Sequence, residues 1–288
     1  MSAVGGPAPP GAGGTLAWAL AERPAEFDPL FATGAAARLV VRQTHEPLVA
    51  ELTRPFDKPR HLAGLAVVVR PSADATIWRL RLRAGVRFGD GAAFNAQAVL
   101  ANVERWRRTG AAAALLGDPL ADAPRPDLVR FILPEPDRGF DRVLASPRLA
   151  IVSPRAIAAA GGGRIARDDA AATGTGPFEL REHEADEITL ARNTDWWGAE
   201  LGLGPGVDQL RFQIAPLPRE RLELLQADSV QVAERLAPRE LRRVRREPLL
   251  TVISGPAGGG IASARSVRGI PAGEAAPVLN SAWLTSID

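Results

Sequence analysis

The chain has 288 residues, of which 46% are hydrophobic, and a net charge of +2 with no cysteine. That size and apolar content suit one large or two modest globular domains with a real core, and exclude a chain too polar to fold. The missing cysteine excludes disulfides, thiol catalysis, cysteine-ligated zinc and lipid attachment through a cysteine. No apolar run reaches the roughly 18 residues of a membrane-spanning helix, so no membrane insertion is expected.

Residues 1–14 are small and proline-rich, without the basic and apolar regions of a secretory signal, and read as a flexible leader. Residues 16–20 suit a strand, broken by Phe27-Asp28-Pro29 because the residue before a proline avoids the helical region. Residues 34–49 place Ala37, Val40, Val41 and Leu48 at helical spacing. Residues 62–69 and 77–83 read as strands. In the second, Trp78, Leu80 and Leu82 alternate with Arg79, Arg81 and Arg83, which sends apolar groups to one face and guanidiniums to the other.

Gly89-Asp90-Gly91 is a tight turn. Asn95 stands where a helix N-cap belongs, and residues 96–107 carry Val99, Leu100, Val103 and Trp106 at helical spacing. Residues 127–133 form a strand. Pro154 opens a short helix that ends at Gly161-Gly162-Gly163. Residues 178–182 and 187–192 pair as a hairpin across an acidic tip. Residues 207–214 form a strand, 218–227 a helix, and 249–254 and 266–270 the last strands. Strands and helices mix without strict alternation, so an α/β domain with a mixed sheet and α+β character is expected.

Arginine supplies almost all the positive charge, Lys58 being the only lysine. Arginines are interleaved with acids, as in residues 239–247 with Glu240 and Glu247, whereas a nucleic-acid surface needs basic residues segregated on one face. No nucleic-acid partner is expected. Glu182-His183-Glu184 offers three metal-ligand types, but strand alternation turns His183 away from its neighbours, so the segment reads as a solvated tip. Gly174-Thr175-Gly176 lacks the lysine and hydroxyl residue of a phosphate loop and reads as a turn. Asp168-Asp169 has no partnered base near it in sequence. No nucleophile elbow, zinc motif or nucleotide fingerprint appears, so neither an enzyme nor a cofactor is expected.

Several phrases occur in an ordered series: residues 16–20 followed by Phe27-Asp28-Pro29-Leu30; Thr44-His45-Glu46-Pro47-Leu48; Trp78 through Gly91; Phe94-Asn95-Ala96-Gln97-Ala98-Val99; Gly174-Thr175-Gly176-Pro177-Phe178; Arg192-Asn193 with Trp196-Trp197; and residues 222–233. The series resembles the first lobe of the extracellular solute-binding proteins of family 5, the oligopeptide, dipeptide and nickel type. His45 stands where the family usually has tyrosine, Gly89 where it has histidine, and Asp228 where it has glycine.

The resemblance implies a single lobe of a class II-like periplasmic-binding-protein fold over residues 15–288. In the family the chain crosses to a second lobe near residues 249–254. Here the glycine-rich residues 255–264 are expected as a loop replacing that lobe, with the tail returning to the first. The resemblance also implies non-covalent binding of a peptide or small solute for ABC-type uptake, in a periplasmic or extracytoplasmic setting. It carries Thr33, Gly34, Ala35 and His45 over as ligand-binding residues, and makes Trp196-Trp197 a core pair. With one lobe, binding is expected to be weak. The alternative is an interaction module whose former inter-lobe face binds an ABC permease, another partner or a second copy.

Overall fold

A computed structural model describes residues 13–52, 60–62, 64–166, 173–201, 204–248, 250–254 and 261–265. Two sheets carry the architecture. The larger has seven strands: β1 (Thr15–Leu20), β8 (Phe178–His183), β9 (Glu187–Arg192), β10 (Gln209–Ile214), β11 (Val232–Ala233), β12 (Leu250–Ser254) and β13 (Ile261–Arg265), in the order β12-β13-β11-β1-β10-β9-β8. β1 is central and parallel to both β10 and β11, while the hairpins β8–β9 and β12–β13 are antiparallel.

β1 is buried on both faces, which explains its unbroken apolar sequence. Leu16, Trp18 and Leu20 join Phe212, Ile188, Leu190 and Phe178 beneath α1 (Ala35–Thr44). Ala17 and Ala19 point the other way, into a core with Leu222, Leu225, Leu241 and Val244. Their small side chains let α6 (Pro218–Gln226) pack on the strand, with α7 (Pro238–Val244) beside it. Both helices open on a proline, whose missing N–H costs nothing at that position.

The smaller sheet is antiparallel, formed by β4 (Ala66–Pro71), β5 (Ile77–Leu82), β6 (Leu120–Arg125) and β7 (Leu128–Ile132) in the order β4-β5-β7-β6. The alternation in β5 is as expected: Trp78, Leu80 and Leu82 are buried, and Arg79 and Arg81 exposed. Their apolar face packs with Val129 and Phe131 against Val99, Val103 and Trp106 of α2 (Ala96–Arg107). The Asn95 side chain accepts the N–H of Ala98 at 3.0 Å, capping α2. Asn102 on the same helix is fully buried. Its amide donates to the Val152 carbonyl at 2.8 Å and accepts the Val152 N–H at 3.0 Å, tying α2 to the chain that enters α5 (Pro154–Ala159).

Several boundaries differ from the sequence expectation. α1 ends at Thr44, because His45 is extended and Pro47 follows. The expected strand over 62–69 divides at Gly64 into β3 (Arg60–Leu62), which pairs with β2 (Ala50–Leu52), and β4. Residues 110–125, which carry no clear periodicity, form α3 (Gly110–Leu116) and edge strand β6. A short helix, α4 (Phe140–Leu144), follows β7. The arginine-rich residues after 238 form α7. The final strand lies at Ile261–Arg265, overlapping residues 255–264, which were expected as a loop; the expected strand over 266–270 lies outside the described residues. Asp228, at the family's glycine position, has φ 60°, the left-handed conformation that glycine adopts most readily.

Candidate functional site

In open α/β sheets, ligands approach the carboxyl ends of parallel strands where the chain turns to opposite sides. The parallel strands β1, β10 and β11 end together at Leu20, Ile214 and Ala233. From that edge residues 21–34 run to α1, residues 215–217 to α6 and residues 234–237 to α7. The three connections are bonded together. The Ala215 N–H donates to the Leu20 carbonyl at 2.9 Å. The Ala21 N–H donates to Glu234 Oε1 at 3.0 Å.

Arg221, buried in α6, pins this edge from behind. Its Nε donates to the Glu234 carbonyl at 2.8 Å, Nη1 to the Ala215 and Pro216 carbonyls at 2.6 and 2.9 Å, and Nη2 to the Arg235 carbonyl at 2.8 Å. One rigid fork thereby fixes the loops after β10 and β11. Burial raises the Glu234 carboxyl above the ordinary carboxylate range, while the Ala21 N–H and the neighbouring Arg235 and Arg221 charges pull it back.

The exposed lip of the edge is small and open. Thr33 and Gly34 are exposed, Ala35 is half-buried, and Gly34 begins α1 at φ 83° without a side-chain cap. The first N–H groups of α1 therefore have no side-chain partner from the cap position. A Cβ at Gly34 would lie 3.0 Å from Glu22 Oε1, in addition to the left-handed strain. Glu22 in turn forms an ion pair of 3.7 Å with Arg235, itself held at φ 49°. An exposed arginine in that backbone region is uncommon and marks a constrained loop.

His45 does not share this lip. It is 2% exposed, with Nδ1 at 2.8 Å from Thr44 Oγ1 and Nε2 at 3.3 Å from Thr173 Oγ1. The strap after Thr173 crosses the end of α1 so closely that only glycine fits. A Cβ at Gly174 would lie 1.8 Å from the Thr44 carbonyl oxygen, and one at Gly176 would lie 2.5 Å from that of Gln43. The Gly176 N–H donates to the Thr44 carbonyl at 2.9 Å, and the Gly89 N–H to the Gly174 carbonyl at 3.0 Å.

Next to this strap, Glu46 draws distant motifs together. Its Oε1 accepts the Trp196 Nε1–H at 3.2 Å, and its Oε2 accepts from Trp197 Nε1 and Thr175 Oγ1, each at 2.9 Å. The Arg83 guanidinium stacks 3.8 Å from the Trp197 ring centre and donates to the Gly64 carbonyl at 3.1 Å. Burial raises the Glu46 carboxyl to about 7, against the three hydrogen bonds and the Arg83 charge, which lower it. Trp196 and Trp197 are thus half-buried and held by a carboxylate, where a core pair was expected. Indole rings with polar partners need not sink fully into a core.

Sequence reasoning missed Glu46, Arg221 and Arg235 as organisers. Glu46 stood inside a quoted motif, but its partners lie 129 to 151 residues away. Among the described residues, no group of three or more histidines and acids is placed to hold a metal ion, and no helix is long and apolar enough to cross a membrane.

The profile of the bacterial extracellular solute-binding proteins, family 5 (middle region), matches residues 60–264. The chain belongs to this family. Di/tripeptide-binding protein 2 of Pseudomonas aeruginosa is 30% identical over 209 residues, covering 63% of this chain and 38% of that protein. The glutathione-binding protein GsiB of Escherichia coli is 26% identical over 223 residues, covering 72% of this chain and 39% of that protein. Among solved structures, AgaA of A. tumefaciens with agropinic acid superimposes with a TM-score of 0.73 at 22% identity, over 83% of this chain and 48% of that one. The periplasmic binding protein DppA of Helicobacter pylori, solved with a peptide, gives 0.71 at 20% identity, over 84% and 50%. The family 5 fold is thus that of the periplasmic binding proteins. The chain spans about two fifths of the length of these curated relatives and about half of these structural neighbours.

Proposed function

We propose that this chain is a solute-binding lobe serving ABC-type uptake of a peptide or small solute, in a periplasmic or extracytoplasmic setting, by non-covalent binding without chemistry. The observation that carries this reading is the joined edge at Leu20, Ile214 and Ala233, with its exposed lip of Thr33, Gly34 and Ala35. These three residues offer backbone groups to a ligand with little side-chain obstruction. The uncapped start of α1 favours a ligand's acceptor groups, since backbone N–H groups and the helix dipole point that way. His45 serves this lip indirectly, by fixing the strap at Thr173 against the end of α1.

The reading includes a single lobe. β12 and β13 pair antiparallel from Leu250–Arg265 to Ser254–Ile261, so only residues 255–260 separate them. That short connection supports residues 255–260, fewer than the expected 255–264, standing where relatives insert a second lobe. A ligand on one lobe keeps one side in water and lacks the two-sided enclosure from which tight binding comes. Binding is then millimolar, and ligand transfer rests on contact with a permease or a second copy. Titration calorimetry with di- and tripeptides, with sedimentation run in parallel, tests this. Weak heats from a monomer support it. Micromolar affinity in a monomer overturns the half-cleft, and no binding at tens of millimolar overturns the solute-binding role.

A further inference from the structure

The outward face of the four-stranded sheet carries a row of cations that the solute-binding reading does not use. Arg70 of β4 lies opposite Arg79 of β5, which lies opposite Arg130 of β7, which lies opposite Asp122 of β6. Arg81 follows two residues along β5, on the same face. With strands about 4.8 Å apart and alternate residues about 6.6 Å apart, this is a two-dimensional grid of guanidiniums on a sheet surface. Asp122 is bonded to Arg130, and Asp127 to Arg125. Arg70, Arg79 and Arg81 are exposed and have no ion-pair partner among the described residues.

Folding alone does not favour this arrangement, because like charges directly opposite on neighbouring strands repel. The inward residues of β5 would form the same core whatever stood between them. The spaces between the arginines hold half-buried aliphatic side chains, Val68 opposite Arg81 and Leu128 on its other side. At the edge strand's start, Leu120 is 62% exposed.

We propose that this face docks on an anionic phospholipid surface. A sheet of guanidiniums with aliphatic spacers matches a layer of phosphate headgroups over hydrocarbon, and arginine binds phosphate through a planar fork. The same features disfavour nucleic acid. Sheets that bind single strands present aromatic rings for base stacking, whereas Trp78 and Phe131 point into the core here. Docking at this face would hold the chain at the membrane without inserting any segment.

Vesicle co-sedimentation tests the proposal, using phosphatidylcholine alone and equal parts phosphatidylcholine and phosphatidylglycerol. At about 0.01 M salt, where charges act over about 30 Å, the whole chain should pellet with the mixed vesicles only. Each arginine near an anionic surface contributes roughly fivefold to partitioning. The triple variant Arg70→Gln, Arg79→Gln, Arg81→Gln should therefore lose at least about tenfold, with its thermal melt unchanged. A charge-matched control, Arg239→Gln, Arg242→Gln, Arg243→Gln on α7, should retain binding. Equal loss in both variants would mean net charge and not this face, and would overturn the proposal. So would binding to neutral vesicles, absence of binding, or tighter capture of an RNA oligomer than of the mixed vesicles.

Discussion

Asp28 and Arg105 form an ion pair sealed from water, with side-chain exposures of 0% and 1%. The Asp28 carboxylate also accepts the N–H groups of Leu30 and Ile165 at 3.2 and 3.0 Å, and Arg105 Nε donates to the Gly163 carbonyl at 3.1 Å. The pair ties the turn after β1 to α2, 77 residues away. Removing one partner strands the other charge in the core. Arg105→Ala should cost about 3–5 kcal/mol, measured by urea denaturation. Arg105→Met should cost nearly as much, since its apolar stem leaves Asp28 unpaired.

Trp78 is buried and donates its Nε1–H to the Asp137 carbonyl at 3.1 Å. Trp78→Ala should cost about 3–5 kcal/mol in the same assay. A loss under about 1 kcal/mol would contradict its place in the core.

Glu46 predicts a pH dependence. Its folded carboxyl titrates at about 7, above the unfolded value of 4.5, because burial disfavours the charge. The stability contributed by its proton is fully present below 4.5 and is lost as pH rises through about 7. Part of Glu46 remains exposed, so the fall is about 2 kcal/mol or less. Urea midpoints at about pH 5 and about pH 8 should differ in the wild type. Glu46→Gln, which cannot ionise, should flatten that difference.

The strap predicts intolerance of any side chain. Gly174→Ala places a methyl 1.8 Å from the Thr44 carbonyl oxygen, so the strap must lift off α1. A loss above about 3 kcal/mol, or failure to fold, is expected. Gly85→Ala meets no atom within 4 Å but has φ 78°, and should cost only about 1 kcal/mol.

Local signals carried most of the elements. The period-two pattern of β5, the Asn95 cap, the proline opening α5 and the hairpin of β8 and β9 each rest on neighbours within a few residues. α3 and β6 were not legible because Gly110 through Leu116 is mostly alanine, with no polar face to set a period. α7 was hidden within its arginines. The mixed α/β sheet class agrees with the architecture, and the part of the family series from Trp78 to residue 233 falls within the family match over residues 60–264. The proposed ligand lip at Thr33, Gly34 and Ala35 rests on resemblance alone and on no local sequence signal. The organisers behind it act across long separations: Asp28 with Arg105, Glu46 with Trp197, Ala21 with Glu234. Such pairs leave no spacing in the sequence, because the sheet order that brings them together is non-local.

Thr33, Gly34 and Ala35 are proposed as one side of an open solute cleft. Backbone amide NMR of the isotope-labelled chain, titrated with dipeptides, tests it residue by residue. Fast-exchange shifts are expected at the Thr33, Gly34 and Ala35 amides, with little change at buried His45. The shifts should saturate at millimolar peptide, about 4 kcal/mol of binding. Shifts clustered away from this lip, or saturation at micromolar peptide in a monomer, would contradict it.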